Sequence, residues 1–128
     1  MPLKITLKPG ERMVIDGAVI RNGENKTEFY VENKVPLLRQ KDILAEKDAD
    51  TVCRQIYYLI QLMYIDETDP VNQHAAYWKL VQPLVKAVPS AVPLVDKISE
   101  QILSGQYYRA LKLAKKLVLY EEEVINRV

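Results

Sequence analysis

Residues 3–21 read LKITLKPGERMVIDGAVIR, and this stretch decides how the first third of the chain folds. Leu3, Ile5 and Leu7 alternate with Lys4, Thr6 and Lys8, the period-two pattern of a half-buried strand. Pro9-Gly10 turns the chain. Arg12 to Ile15 gives a second short strand that ends at Asp16-Gly17, a dipeptide favoured in two-residue hairpin turns because both positions tolerate positive φ. Ala18 to Arg21 returns as a third strand.

Working outward, Asn22-Gly23 reads as another tight turn, and Thr27 to Val31 as a fourth strand. In that strand Phe29 and Val31 share one face, and Glu28, Tyr30 and Glu32 the other. Val35 to Leu38 is a fifth strand, placed at an edge because Pro36 cannot donate to a ladder. Five short strands with tight turns imply a meander or small barrel, an antiparallel β module over residues 1–44.

From about Asp48 the apolar period changes to that of helices. Asp50 or Thr51 can cap a first helix through a side-chain oxygen, with Val52, Ile56, Leu59 and Met63 along it and a break at Asp66 to Pro70. A second runs from Val71 to about Lys86, where Pro83 is expected to kink it or end it early. Pro89 and Pro93 bracket the start of a third, with Leu94, Ile98 and Ile102 on one face and a stop at Ser104-Gly105. A fourth spans about Gln106 to Asn126 with Ala110, Leu113, Leu117 and Tyr120 on its apolar face. The fold class is therefore α+β: a small N-terminal β module, then a helical module of three to four helices over residues 48–128.

Composition narrows the function classes. The 128 residues hold 18 Lys+Arg against 17 Asp+Glu, so the chain as a whole is not a grossly basic polyanion binder. Charge is uneven, however: residues 1–43 and 105–128 are each net +2, while residues 44–104 are net −3. One cysteine, Cys53, allows no intramolecular disulfide and fits a reducing, cytoplasmic setting. The longest strongly apolar run, Ile56 to Ile65, is ten residues interrupted by Gln61, whereas a bilayer needs roughly 20. No membrane role is expected.

A catalytic set is equally hard to assemble. His74 is the only histidine and Cys53 the only thiol, too few for a metal site built from such ligands. No phosphate loop and no dinucleotide fingerprint occurs. The carboxylates Asp66, Glu67 and Asp69 sit in a helix break, and Glu121 to Glu123 lie near the C-terminus; both groups read as solvated charge. The expectation is a protein that is not an enzyme and carries no cofactor.

Three features stand out. The β module carries Lys4, Lys8, Arg12, Arg39 and Lys41, with Lys4 and Lys8 on the strand face opposite the apolar residues. This is either a solubilised face that deters edge pairing or a phosphate-tracking surface for single-stranded nucleic acid, with Tyr30 as a stacking plane. The helix IYYLIQLMYI, residues 56–65, is too apolar all round to present an ordinary solvated face. It is a central helix or a partner surface, and Tyr57, Tyr58, Met63 and Tyr64, together with Tyr107 and Tyr108 on the last helix, are adaptable contact residues. The third is Arg109, Lys112 and Lys116 on one face of the last helix with Lys115 beside them, a solvated stripe or a second basic contact.

Several of these residues also carry a resemblance. MPLKITLKPGE at 1–11, DGAVIRNG at 16–23, VPLLRQKDI at 35–43, IYY at 56–58, MYID at 63–66 and SGQYYRAL at 104–111, with Lys116-Leu117 and Tyr120-Glu121 after it, resemble the FlbT family of flagellar regulators. That resemblance implies a post-transcriptional regulator of flagellin synthesis. It would act at the 5′ untranslated region of flagellin messenger RNA, promoting its degradation or blocking translation, beside a small FlaF-like protein. The first 43 residues also resemble the carbon storage regulator CsrA, a β-rich homodimer that binds messenger leaders. There a basic position before the Gly-Glu pair and an arginine in the last strand contact RNA, which correspond to Lys8 and Arg39; Leu7 departs from the pattern, where CsrA has a second arginine. The competing expectation is a protein-interaction adaptor, or a chaperone-like partner of flagellin, with no RNA contact of its own. Pairing of two copies is a further implied partnership.

Overall fold

The computed structural model describes residues 2–66 and 69–125. The chain forms two compact units that divide between Ile43 and Leu44. The first contains five short strands: β1 (Leu3–Leu7), β2 (Arg12–Ile15), β3 (Ala18–Arg21), β4 (Thr27–Val31) and β5 (Leu37–Arg39). They make two small antiparallel sheets, β1 with β4, and β3-β2-β5.

The β2–β3 hairpin turns at Asp16 (φ 50°) and Gly17 (φ 84°), both in the left-handed region that the sequence pattern demanded. A two-residue turn leaves no freedom of register: Ile15 faces Ala18, Val14 faces Val19, Met13 faces Ile20 and Arg12 faces Arg21. The next expected tight turn, at Asn22-Gly23, does not join two paired strands. β3 and β4 do not pair, and the chain instead crosses to the other sheet, so the strands are not a sequential meander. The physical reason is the Asn22 side chain. Its Nδ2 donates to the carbonyls of Leu7 (3.2 Å), Lys8 (2.9 Å) and Asn25 (2.9 Å), while its Oδ1 accepts from Gly23 N and Thr27 Oγ1. It thereby fastens the 22–26 loop to the end of β1.

Ile5, Leu7 and Met13 form the core of this unit, flanked by Ile15, Phe29, Val31 and Leu37. Leu3, on the same strand face, lies beyond that core and is half exposed. Pro36 falls just before β5, where its carbonyl accepts from Asp16 N at 2.8 Å. β5 pairs only with β2, at the sheet edge as Pro36 required.

The second unit contains α1 (Val52–Ile65), α2 (Pro70–Ala87), α3 (Val92–Leu103) and α4 (Tyr107–Ile125). The expected end of the last helix, Asn126, lies outside the described residues, as does Glu67 of the loop carboxylates. α4 packs on both α1 and α3, and α2 packs on α1. Pro83 does not end α2, which continues to Ala87. Proline removes one ladder bond and crowds the preceding turn, but Tyr77 and Val81 bury the helix ahead of it and Leu84 and Val85 are half-buried after it. α3 stops as a Schellman turn: Gln106 N donates to Gln101 O (2.8 Å) and Gly105 N to Ile102 O (3.1 Å), with Gly105 at φ 73°.

Two polar side chains hold the unit from inside. Gln61, the interruption in the apolar helix, is buried and brackets Leu44, accepting from its N–H (2.8 Å) and donating to its carbonyl (2.9 Å). Glu121 corrects the reading of the C-terminal acids as solvated. It is 8% exposed, accepts from Thr51 Oγ1 (2.5 Å) and Cys53 N (3.1 Å), and so caps α1 from a distant helix. Thr51 supplies the local cap, accepting from Arg54 N; Asp50 instead pairs with Arg54 at 2.8 Å, which holds its carboxyl below the usual range. A carboxylate whose partners are buried donors is costly to remove, because those donors are then left unmet.

Two outcomes follow. Glu121→Ala is expected to cost about 1–3 kcal/mol in urea unfolding, whereas Glu123→Ala, at an exposed position, is expected to change stability by less than about 0.5 kcal/mol. Burial, and then the charge of Glu121, push the Cys53 thiol from its ordinary 9.0 up to about 12. A proton held more tightly in the folded state stabilises the fold below the unfolded pKa and ceases to do so as pH rises through the folded one. Stability is therefore expected to fall between about pH 9 and 12, and Cys53→Ala to flatten that fall in urea melts across the same range.

Candidate nucleic-acid interface

Backbone hydrogen bonds gather most of the expected cations at one end of the β unit. The β1–β2 connection closes through Glu11 N to Lys8 O (3.1 Å), and Asn22 N donates to Glu11 O (2.8 Å). Lys8 therefore lies beside the Arg21-Asn22 end of β3. Arg12 opens β2 there, its N–H donating to Gln40 Oε1 at 2.6 Å, which brings the 3₁₀ turn at Gln40–Asp42, and with it Lys41, to the same place. Arg39 ends β5 opposite Met13. Lys8, Arg12 and Lys41 are thus brought to one end of the unit, while Arg39, in register with Met13, lies on the sheet face opposite to that of Arg12.

Lys4 stands apart. It lies four residues up β1 from Lys8, roughly 13 Å along a strand, and its Nζ is paired with Glu28 at 3.4 Å. Its register partner is Tyr30, which is 61% exposed and presents an aromatic face to solvent on that sheet.

One cation was missed. Arg21 lies directly across from Arg12 in the β2–β3 ladder, both exposed, and neither has a carboxylate partner among the described residues. The signal was present in the chain: a two-residue turn at Asp16-Gly17 fixes this pairing by counting. Like charges directly opposite on a sheet repel, so the pairing is unfavourable by itself. Lys8 and Lys41 are likewise exposed without an ion partner among the described residues.

Arg39 has a different character. Its Nη2 donates to Thr6 O at 3.1 Å, joining the two sheets, and stands 4.0 Å from Glu11 Oε2. Its Nε is buried with no acceptor among the described residues. A guanidinium has five donors, so Arg39 both stitches the unit and keeps donors unspent. Glu11 tempers the local charge and is itself used structurally, its Oε1 accepting from Lys8 N at 2.9 Å.

The tyrosine and methionine residues singled out in the helices divide by burial. Tyr57 and Met63 are interior. Tyr58, Tyr64 and Tyr107 are half-buried, and Tyr108 is exposed. Tyr64 packs against Tyr108 with the rings tilted by 41° and centroids 5.4 Å apart, Tyr107 hydroxyl is 3.1 Å from His74 Nε2, and Lys112 Nζ lies 4.9 Å over the Tyr108 ring. The end of α1, the start of α2 and the start of α4 thus share one aromatic cluster. Arg109, Lys112, Lys115 and Lys116 are all exposed on α4. Among the described residues, no three His, Cys, Asp or Glu side chains converge as metal ligands, and no helix is long and apolar enough to cross a membrane.

Residues 3–125 match the family described as flagellar protein FlbT. This chain belongs to the FlbT family. A probable flagellum biosynthesis repressor protein FlbT 1 of Bradyrhizobium diazoefficiens is 43% identical over 125 residues, 97% of this chain and 85% of its own length. The flagellum biosynthesis repressor protein FlbT of Caulobacter vibrioides is 36% identical over 130 residues, covering 100% of this chain and 92% of its own. A probable counterpart from Rhodopseudomonas palustris is 39% identical over 127 residues, 99% of this chain and 100% of its own. No solved structure matches. Membership of FlbT carries a regulatory role in flagellum biosynthesis.

The two arginine roles separate in a stability experiment on this FlbT chain. Arg39→Ala removes the donor to Thr6 and is expected to cost about 1–3 kcal/mol in urea unfolding. Arg12→Ala relieves a like-charge pair and is expected to be neutral or stabilising by up to about 1 kcal/mol.

Proposed function

We propose that this FlbT-family chain is a post-transcriptional regulator of flagellin synthesis. It binds the 5′ untranslated region of flagellin messenger RNA through the basic end of its β unit and lowers flagellin output by blocking translation or exposing the transcript to degradation. It acts by binding and not by catalysis. The observation that carries the reading is the Arg12–Arg21 pair, two facing cations without a carboxylate partner among the described residues, with Lys8 and Lys41 at the same end of the unit. Such an array suits phosphate oxygens, which accept several charge-assisted hydrogen bonds at once. The exposed ring of Tyr30 offers a stacking plane beside Lys4 for an unpaired base. The relatives' names, flagellum biosynthesis repressors, support the direction of the effect.

In this reading the helical unit recruits a protein, a FlaF-like partner, flagellin or a second copy, through the partly exposed tyrosines Tyr58, Tyr64, Tyr107 and Tyr108. A second reading, an adaptor with no RNA contact, draws on the same surface. A gel-shift titration with the flagellin leader separates the two. Wild type is expected to bind with log Kd rising with log salt at a slope of about 2, as three neutralised phosphates on a single strand require. Arg12→Ala/Arg21→Ala and Lys8→Ala are expected to weaken binding by about tenfold and threefold, and Lys4→Ala less. Equal binding by all variants, or binding indifferent to salt, contradicts the assignment. Partners retained in a ribonuclease-treated pull-down, without any shift of naked RNA, favour the adaptor.

A further inference from the structure

The helical unit carries a second cationic feature. A groove of about 370 Å³ opens between the start of α3 and the outer face of α4, lined by Ser90, Ala91, Pro93, Leu94, Lys97, Lys116 and Tyr120. Its floor is aliphatic, formed by buried Ala91 with Pro93 and Leu94. Lys97 reaches it from α3 and Lys116 from α4; both are exposed, and neither has an ion partner among the described residues. Ser90 Oγ and Tyr120 hydroxyl are hydrogen-bonded to each other along it.

The charged side chains that line the groove are both lysines; among the described residues no carboxylate lines it, Glu100 and Glu123 standing outside it. α3 begins there with no side-chain cap and no acid in its first turn, so the positive end of the helix dipole is uncompensated beside the two lysines. Lys112 and Arg109 extend the cationic face one and two turns further along α4 from Lys116. An anion is the complement of such a site. The floor then decides which kind. A nucleic-acid strand is gripped by stacking planes interleaved with cations, and here the single aromatic is Tyr120, with its hydroxyl engaged by Ser90, over an aliphatic base. Aliphatic contact beneath paired cations fits a carboxylate side chain next to an apolar one.

We propose that this groove docks an acidic, leucine-like peptide segment of a protein partner, its carboxylates held by Lys97 and Lys116 and its apolar side chains seated on Pro93 and Leu94. The inference concerns the helical unit alone and does not depend on RNA binding by the β unit, so the failure of either leaves the other standing. The test is a ¹H–¹⁵N NMR titration of the full chain with a seven-residue peptide alternating Glu and Leu. Its Gln/Leu counterpart and a twelve-nucleotide oligouridylate are the comparison ligands. Shifts are expected at Ser90, Leu94, Lys97, Lys116 and Tyr120 with the acidic peptide, with binding about tenfold weaker in Lys97→Ala/Lys116→Ala at low salt. Both substitutions are at exposed positions, and unchanged resonances elsewhere verify the fold. Equal binding of the Gln/Leu peptide, shifts confined to other surfaces, or no shift at all overturns the proposal. Oligouridylate moving these resonances where the acidic peptide does not assigns the groove to nucleic acid and also overturns it.

Discussion

A turn of two residues governs the β unit. Asp16 and Gly17 both take positive φ, and the hairpin that follows admits one register only. That register sets Arg12 against Arg21 at the far end of β2, the strand whose Met13 and Ile15 pack with Ile5 and Leu7. Shifting the pairing by one residue would reverse every side chain on β3 and part the two arginines. The four side chains of β3 are exposed, so the turn places charge there and leaves the core to the other strands.

A core this small leaves polar connections with much of the work. Two sheets of two and three strands bury few side chains, and isolated sheets of that size are marginal in water. Asn22 ties the 22–26 loop to β1, Gln40 ties the 3₁₀ turn to β2, and Arg39 ties one sheet to the other. Each of these bonds ends at the cationic tip. The residues that hold the unit together and the exposed cations Lys8, Arg12 and Lys41 are therefore neighbours. The helical unit follows the same logic with Gln61 and Glu121, polar side chains in an apolar interior that satisfy backbone groups no helix can satisfy for itself.

Much of this was legible in the chain because it rests on local chemistry. Period two, the Asp-Gly turn, the Thr51 cap and the Ser-Gly stop each act over a few residues, and the strands and helices fall where those signals put them. What was not legible involves distant partners. Asn22-Gly23 has the composition of a hairpin turn, yet the bonds from its side chain carry the strand into the other sheet. Pro83 carries a penalty that packing on either side of it outweighs. Glu121 sits among three glutamates that look alike until Thr51 and Cys53, seventy and sixty-eight residues earlier, claim one of them. Among the candidate site residues, Lys8, Arg12 and Lys41 are brought to one end of the unit; Lys4 is not, and Arg39 lies on the opposite face of its sheet from Arg12. Arg21 carries no mark of its own in the chain, and its place opposite Arg12 follows only from the register across the two-residue turn. The tyrosines could not be sorted by type: the same residue is buried at Tyr57 and exposed at Tyr108, a difference set by helix packing.

The central claim is that the tip of the β unit touches the flagellin leader. Ultraviolet cross-linking of the full chain to that RNA, with the modified peptides mapped by mass spectrometry, tests it most directly. The account expects nucleotide adducts within residues 8–12, 21–23 and 39–41, with Tyr30 as the aromatic site. Adducts confined to the helical unit, or none under conditions where the RNA is bound, would contradict it.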